Sequence, residues 1–197
     1  AVVTNSTYDG VCYNVPRVLQ QLGGWVDRVH FDEAWYGYSR FNPIYAGRQA
    51  MHGDPAAHDP NGPTVFCTHS THKLLAALSQ ASYIHVRDGR NAIPHARFNE
   101  TFMMHGSTSP FYPIIASNEV AASMMDGAGG VALTRESIDE AIGFRQAIGR
   151  IGREFAKKKS WFFRTWNPEK VRDPKTGKAV AFEDASPELL ATDPGCW

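Results

Sequence analysis

The alternation of short apolar runs with a helical segment near the N-terminus is the feature that most constrains the fold. Residues 2–4 form an apolar run that ends at the turn-prone residues 5–10. Pro16 then fits the first turn of a helix that ends at a Gly-Gly pair at 23–24, and residues 26–31 provide the next predicted strand. This strand, helix, strand order predicts an α/β domain, in which ligands bind at the carboxyl ends of the strands.

The following segments continue the same kind of domain. Residues 47–63 are rich in Gly, Pro, His, Asp and Asn and predict a long surface loop, whereas residues 65–68 and 83–86 predict two more strands. Residues 98–104 are predicted to be helical. Residues 107–110 are expected to be extended, because the residue before a proline avoids the helical region.

Helical periodicity dominates the second half of the chain. Residues 116–125 and 136–156 are predicted helices, and Thr134 is a plausible N-cap for the longer one. A long helix that leads out of an α/β domain suggests a second, smaller domain. We therefore expect residues 1–115 to be the end of the larger domain and residues 116–197 to be connecting helices and the start of the smaller one.

The segment beyond the long helix carries weaker signals. Residues 161–166 could form a strand, and residues 173–177 predict a turn between strands. Together with the helices, these signals favour α+β structure for the smaller domain.

Composition gives no support for several classes of partner. Twenty Lys and Arg residues balance twenty Asp and Glu residues, so the net charge gives no reason to expect nucleic acid or an anionic membrane. No apolar run approaches the roughly 20 residues of a membrane-spanning helix, and we expect a cytoplasmic location. The three cysteines, Cys12, Cys67 and Cys196, include no CxxC pair and are interpreted as reduced thiols.

Lys73 is the first candidate for chemistry. It follows a predicted strand and precedes Leu74 and Leu75, so we expect a desolvated amine whose lowered pKa makes it a nucleophile toward an aldehyde, as a Schiff-base lysine requires. Ser70 and His72 lie on the same short turn and could both contact a phosphate. The alternative is a lysine at the start of a helix whose amine extends to solvent.

Asp32 is the second candidate, because it follows directly on a predicted strand. A buried carboxylate beneath a pyridine ring keeps the ring nitrogen protonated, which makes the ring an electron sink. Ala34 is small enough to let a flat ring approach, and Trp35 is a large aromatic neighbour. The alternative is an aspartate that caps the following helix.

Four segments around these residues resemble the bacterial ornithine/lysine/arginine decarboxylases. They are His30–Trp35, Thr68–Leu75, Leu78–Val86 and Ser107–Pro110. The resemblance implies the second half of the large domain of a pyridoxal-phosphate-dependent transferase of the aspartate-aminotransferase type, followed by the start of a small α+β domain. It covers essentially the whole chain, which we expect to be an internal fragment.

The resemblance also implies residue roles. Lys73 would hold pyridoxal 5'-phosphate as a Schiff base, and Asp32 would pair with the pyridine nitrogen. Ser70 and His72 would contact the phosphate, and Ala34 and Trp35 would lie near the ring. The remaining positions, which would serve the cofactor phosphate of a dimer partner, are Ser107 and Ser109.

The reaction implied is the decarboxylation of a basic amino acid. Segments 35–38, 59–63 and 173–178 are most similar to the arginine-specific, acid-inducible members, which implies conversion of L-arginine to agmatine and CO2 with uptake of a proton, a reaction suited to acid resistance. Lysine and ornithine remain alternative substrates. The resemblance further implies a homodimer within a larger oligomer.

Two other kinds of function stay open. His69 and His72 have a spacing that could serve a metal, as could His52 and His58, but no carboxylate stands at a helical offset from them, which argues against a metal site. The second alternative is a non-catalytic interaction domain without turnover.

Overall fold

The computed structural model describes residues 1–156, 158–160 and 163–196, which form two compact units, Ala1–Val131 and Ala132–Trp197. The first unit is a mixed α/β structure, as predicted. Its strands are β1 (Val2–Thr4), β2 (Arg28–Asp32), β3 (Thr64–His69) and β4 (Tyr83–Arg87). Its helices are α1 (Val15–Leu22), α2 (Thr71–Leu74), α3 (His95–His105) and α4 (Tyr112–Met125), followed by the start of α5 (Ala128–Ala156). No helix in the described part of the chain combines the length and apolarity needed to cross a bilayer.

The four strands form one sheet in the order β1-β2-β3-β4. β1, β2 and β3 are parallel, whereas β4 runs antiparallel to β3. α1 provides the connection between β1 and β2 that parallel strands require. It begins as predicted, with Pro16 in the first turn, and the Asn14 side chain accepts a hydrogen bond from the Arg17 N–H at 3.0 Å.

One face of the sheet carries the core of this unit. Side chains alternate along a strand, so Val29 and Phe31 of β2 point to the same face as Val65 of β3. All three are almost completely buried and pack with Val15 of α1. On the opposite face of β2 and β3 lie four half-buried residues, His30, Asp32, Phe66 and Thr68.

The connection from β2 to β3 is long and mostly irregular, as predicted for residues 47–63. It contains short 3-10 turns at Gly37–Phe41, Ala46–Arg48 and Pro55–Ala57. These turns bring residues 37–51 back over the carboxyl ends of the strands.

The second unit contains most of α5, a two-stranded antiparallel sheet and a short helix. The strands are β5 (Lys170–Arg172) and β6 (Ala179–Ala181), and the helix is α6 (Pro187–Thr192). The predicted turn at 173–177 connects β5 to β6: Asp173 accepts bonds from the backbone of Lys175 and from the Thr176 hydroxyl, and Gly177 has a φ of 68°. This turn chemistry confirms the sequence prediction.

Two local predictions about this half of the chain need correction. Thr134 is not an N-cap, because α5 already begins at Ala128 and Thr134 is buried inside it. Gly127, with a φ of 69°, makes the turn between α4 and α5 instead. In the predicted strand 161–166, residues 161 and 162 lie outside the described residues, and residues 163–166 are irregular.

Candidate active site

Two neighbouring strand ends bring the main candidate residues to one edge of the sheet. Asp32, the last residue of β2, lies level with Thr68 in the parallel strand β3. The ladder continues past both strands, because the Glu33 N–H donates to the Thr68 carbonyl at 3.0 Å and the Asn5 N–H donates to the Asp32 carbonyl at 2.7 Å. Residues 32–35 and 70–73 therefore follow adjacent strand ends, as the sequence predicted.

Asp32 is half-buried and turned away from the core face. One of its carboxylate oxygens, Oδ1, accepts a hydrogen bond from the Ala34 N–H at 3.0 Å. This bond fixes the carboxylate over a tight turn. The next helical segment starts at Gly37, so the cap-like bond of Asp32 belongs to a turn and not to the first turn of an α-helix.

Lys73 lies against Trp35. Its Nζ is 5.1 Å from the centroid of the indole ring, which also makes an edge-on contact with Tyr8 at 5.1 Å. The expectation of a desolvated amine is wrong for the described structure, because Lys73 is exposed. The apolar residue that follows it does not cover it, since 47% of Leu74 is itself exposed.

Ser70 directly precedes the short helix α2, and His72 lies within it. Ser70 is half-buried, and its hydroxyl makes no capping bond to that helix, which leaves this oxygen available for a ligand. The Nδ1 atom of His72 is 2.8 Å from the Ala81 carbonyl. Because a carbonyl only accepts, Nδ1 must carry the hydrogen, and this bond fixes the orientation of the ring.

Ser107 and Ser109 lie apart from this group, in the exposed connection between α3 and α4. We expected this segment to be extended, but it is bent. The Ser107 hydroxyl accepts a bond from the Ser109 N–H at 3.0 Å and donates to the Ser109 carbonyl at 3.2 Å. This local bonding offers the backbone an alternative to the extended conformation that Pro110 favours.

Sequence reasoning missed a buried polar cluster on the core face of the same strand ends. Glu33 has no exposed surface. Its Oε1 accepts from the Asn5 side chain and from the Ala50 N–H, each at 2.7 Å, and its Oε2 accepts from Cys67 at 2.8 Å and from His69 at 2.9 Å. Burial, with the nearby Glu33 carboxylate, raises the pKa of the Cys67 thiol well above its usual range.

The cluster contains a set of potential metal ligands. The ligand atoms of Glu33, Cys67 and His69 all lie within 4.8 Å of one another. The fold thus brings a carboxylate to His69 from a distant part of the sequence, which an argument from helical offsets cannot detect, whereas His72 points to Ala81. Each of the three ligands already has a protein hydrogen-bond partner, so the arrangement is satisfied as a hydrogen-bonded network.

A mainly apolar cavity of about 230 Å³ adjoins this cluster. Its wall includes Thr71 of α2 and Leu75, which directly follows α2. His69 and His85 contribute from β3 and β4. The two imidazole rings are 5.1 Å apart. Burial lowers the pKa of His85, and a charge on His69 acts in the same direction.

Comparisons with known proteins cover essentially the whole chain. The family described as Orn/Lys/Arg decarboxylase, major domain, matches residues 1–196. The biodegradative arginine decarboxylase of Escherichia coli is 62% identical over 196 residues, which is 100% of this chain and 26% of that protein. A lysine decarboxylase of Pseudomonas aeruginosa is 53% identical over 172 residues, which is 87% of this chain and 22% of that protein.

Solved structures agree with the sequence matches. The Pseudomonas aeruginosa lysine decarboxylase A structure superposes with a TM-score of 0.76 at 52% identity and covers 86% of this chain and 22% of that chain. The structure of the constitutive lysine decarboxylase of E. coli gives a TM-score of 0.73 at 46% identity, and the match covers 88% of this chain and 23% of that chain. The chain thus spans about a quarter of the length of the curated relatives that it matches.

Proposed function

The chain belongs to the Orn/Lys/Arg decarboxylase family, and on this premise we propose that the protein containing it is a pyridoxal-phosphate-dependent decarboxylase of a basic amino acid. The observation that carries the proposal is the placement of Asp32 and the turn Ser70–Lys73 after adjacent parallel strand ends. In open α/β sheets this edge is where ligands bind. The chain would form the second half of the cofactor-binding domain, over residues 1–115, with residues 116–197 leading into a smaller domain.

The side chains at this edge fit the cofactor. The Asp32 carboxylate is held by a backbone N–H, the Ser70 hydroxyl has no capping role, and the bond from His72 to Ala81 fixes the imidazole. The Lys73 amine is accessible to an aldehyde. An acid, an amine and two phosphate-binding groups are the donors and acceptors that pyridoxal phosphate requires.

Each residue would have a separate role in the reaction. When bound, pyridoxal phosphate supplies a protonated ring that accepts the electrons released as the carboxylate departs. Asp32 would hold the proton on the ring nitrogen, and Lys73 would hold the cofactor through Nζ and release it to the substrate amine. Ser70 and His72 would bind the phosphate, and Ala34 and Trp35 would border the ring. Ser107 and Ser109 would contact the cofactor phosphate of a dimer partner.

We favour L-arginine as the substrate, with agmatine and CO2 as products and one proton consumed. The 62% identity to the E. coli arginine decarboxylase supports this choice, although lysine decarboxylases are also similar, at 53% and less. Proton consumption suits a role in acid resistance, in a cytoplasmic homodimer that is part of a larger oligomer. Lysine or ornithine decarboxylation is the alternative reaction.

The test uses the full-length protein that contains this chain. Assays of CO2 release from arginine, lysine and ornithine should give the highest kcat/KM for arginine, and a preference for another of the three would overturn the substrate assignment. Borohydride reduction should trap the cofactor on Lys73, as located by peptide mass spectrometry. Lys73→Ala should abolish trapping and activity, whereas Lys158→Ala, an exposed lysine that also lies over an aromatic ring, should change neither.

One result would favour a non-catalytic role instead. If the full-length protein neither binds pyridoxal phosphate nor releases CO2 from any of the three amino acids, an interaction domain without turnover becomes the better interpretation.

A further inference from the structure

Glu33 is a fully buried carboxylate to which the proposed reaction gives no role. An ionised carboxylate in a protein interior is costly unless it is paired and hydrogen-bonded. Glu33 nevertheless occupies the position next to Asp32, at the end of a strand. Its surroundings must therefore supply strong compensating interactions.

The four donors to Glu33 come from three separate parts of the chain. Asn5 follows β1, Ala50 lies in the long connection before β3, and Cys67 and His69 belong to β3. One carboxylate thereby cross-links the carboxyl ends of all three parallel strands. The distances of 2.7–2.9 Å are typical of strong, charge-assisted bonds.

The cluster lies directly behind the proposed cofactor site. Successive side chains of a strand point to opposite faces, so Glu33 points to the core while Asp32 points away from it. His69 likewise immediately precedes Ser70, the first residue of the turn that carries Lys73. The bond from Glu33 to His69 therefore joins the two backbone segments that present the acid and the amine.

We propose that Glu33 is a positioning residue, which holds the strand end bearing Asp32 at a fixed offset from the turn bearing Lys73 without touching cofactor or substrate. The effect on the cofactor rests on the proposed function, whereas the cross-link between strand ends does not. Removing the cross-link lets the two segments shift relative to each other. When several groups bind one ligand, small displacements of these groups strongly weaken the binding of that ligand.

Two substitutions in the full-length protein separate the contribution of the hydrogen bonds from that of the charge. In Glu33→Gln the amide oxygen can still accept from Asn5 and Ala50. The amide N–H groups can donate to Sγ of Cys67 and to Nε2 of His69, if His69 adopts the tautomer that carries its hydrogen on Nδ1. Glu33→Ala leaves all four donors without their acceptor. We expect Glu33→Ala to weaken pyridoxal phosphate binding about tenfold or more in an absorbance titration, and Glu33→Gln to restore most of the affinity.

Val29→Ala is the matched control for a merely structural effect. Val29 is buried in the same strand but belongs to the apolar core and is not among the hydrogen-bond partners of the Glu33 carboxylate, so its truncation lowers the thermal stability without removing the cross-link. At a comparable loss of Tm, Val29→Ala should retain near-normal cofactor affinity. An equal loss of affinity in Val29→Ala, or normal affinity in Glu33→Ala, would overturn the proposal.

A second readout needs no cofactor. The buried Cys67 thiol donates to Glu33, so opening of the strand ends should expose it to a thiol reagent. Mass spectrometry of the Cys67 peptide should show faster labelling in Glu33→Ala, and slow labelling in Glu33→Gln, which removes the same charge, and in Val29→Ala. Unchanged labelling in Glu33→Ala contradicts the cross-link, whereas failure of the unmodified protein to bind cofactor contradicts only the proposed function.

Discussion

The Nζ atom of Lys73 lies 5.1 Å from the centroid of the Trp35 ring, so the proposed cofactor-binding amine contacts the aromatic residue that follows Asp32 by three positions. Lys73 is otherwise exposed. The contact joins the two segments that supply the candidate site. Trp35 therefore acts on the amine as well as bordering the proposed ring position.

Replacing Trp35 should weaken cofactor attachment modestly. Trp35 would border the bound cofactor ring, and an aromatic contact of this kind contributes about 0.5–1.5 kcal/mol, which corresponds to a roughly two- to twelve-fold change in the association constant. Trp35→Ala should lose this contribution, and Trp35→Phe should retain most of it. Absorbance titration of the full-length protein with pyridoxal phosphate measures the effect, and normal binding by Trp35→Ala would show that the contact is dispensable.

Stability should fall as the pH is lowered through the range in which histidine titrates. Partial desolvation lowers the pKa of His85 and also of His58, so each is more readily protonated in the unfolded chain, where the pKa is about 6.5. The unfolded state then binds more protons, and stability increases with pH. The contribution of these two histidines to stability is fully present above their pKa in the unfolded chain. It is lost as the pH falls through their lower pKa in the folded chain.

Urea unfolding at several pH values between about 7.5 and 5 tests this expectation. His85→Asn should show a weaker pH dependence of the free energy of unfolding than the unmodified protein. His95→Asn, which changes an exposed histidine of α3, should keep the original dependence. Identical slopes for His85→Asn and the unmodified protein would show that His85 does not contribute to it.

Gly89 should not tolerate a side chain. A Cβ atom built there would collide with the Gly62 carbonyl and lie 2.6 Å from the Pro63 carbonyl oxygen, and both are backbone atoms that cannot move aside easily. Gly89→Ala should therefore cost about 1–3 kcal/mol of stability. Gly24→Ala, where a Cβ atom would meet nothing within 4 Å, is the control and should stay within about 0.5 kcal/mol of the original in thermal or urea unfolding.

Metal removal should have no effect on the cluster around Glu33. Cys67 and His69 are already bonded to that carboxylate, and a metal would have to displace both hydrogens. Incubation with a chelator should leave the Tm and the cofactor content unchanged. Stoichiometric zinc in an elemental analysis, together with a Tm lowered by chelation, would instead support a structural metal site.

The strand ends were predictable because their signals are local. The β-branched and aromatic residues before Asp32 and Ser70, among them Val29, Phe31 and Val65, indicate strands, and the polar residues that follow mark where the strands stop. The turn at 173–177 was predictable for the same reason, since Asp173 and Gly177 satisfy its geometry by themselves. Each of these predictions depends only on residues close in sequence.

The cluster around Glu33 could not be predicted in this way. Its donors at Asn5, Ala50 and Cys67 are brought together only by the sheet and by the return of the long connection. The one available signal was periodicity, because Glu33 continues the alternating positions of Val29 and Phe31 and so had to face the core. The exposure of Lys73 was mispredicted for the related reason that its covering residues would have to come from elsewhere in the fold.

The antiparallel pairing of β4 with β3 has a consequence for the amine. His69 lies opposite Tyr83, so residues 70–82 form a closed loop whose two ends are anchored to each other by the sheet. A loop closed in this way has already lost much of the entropy that an open segment retains. Lys73 can therefore reorient mainly by rotating its own side-chain bonds, which suits a group that must pass a cofactor to a substrate and then take it back at the same place.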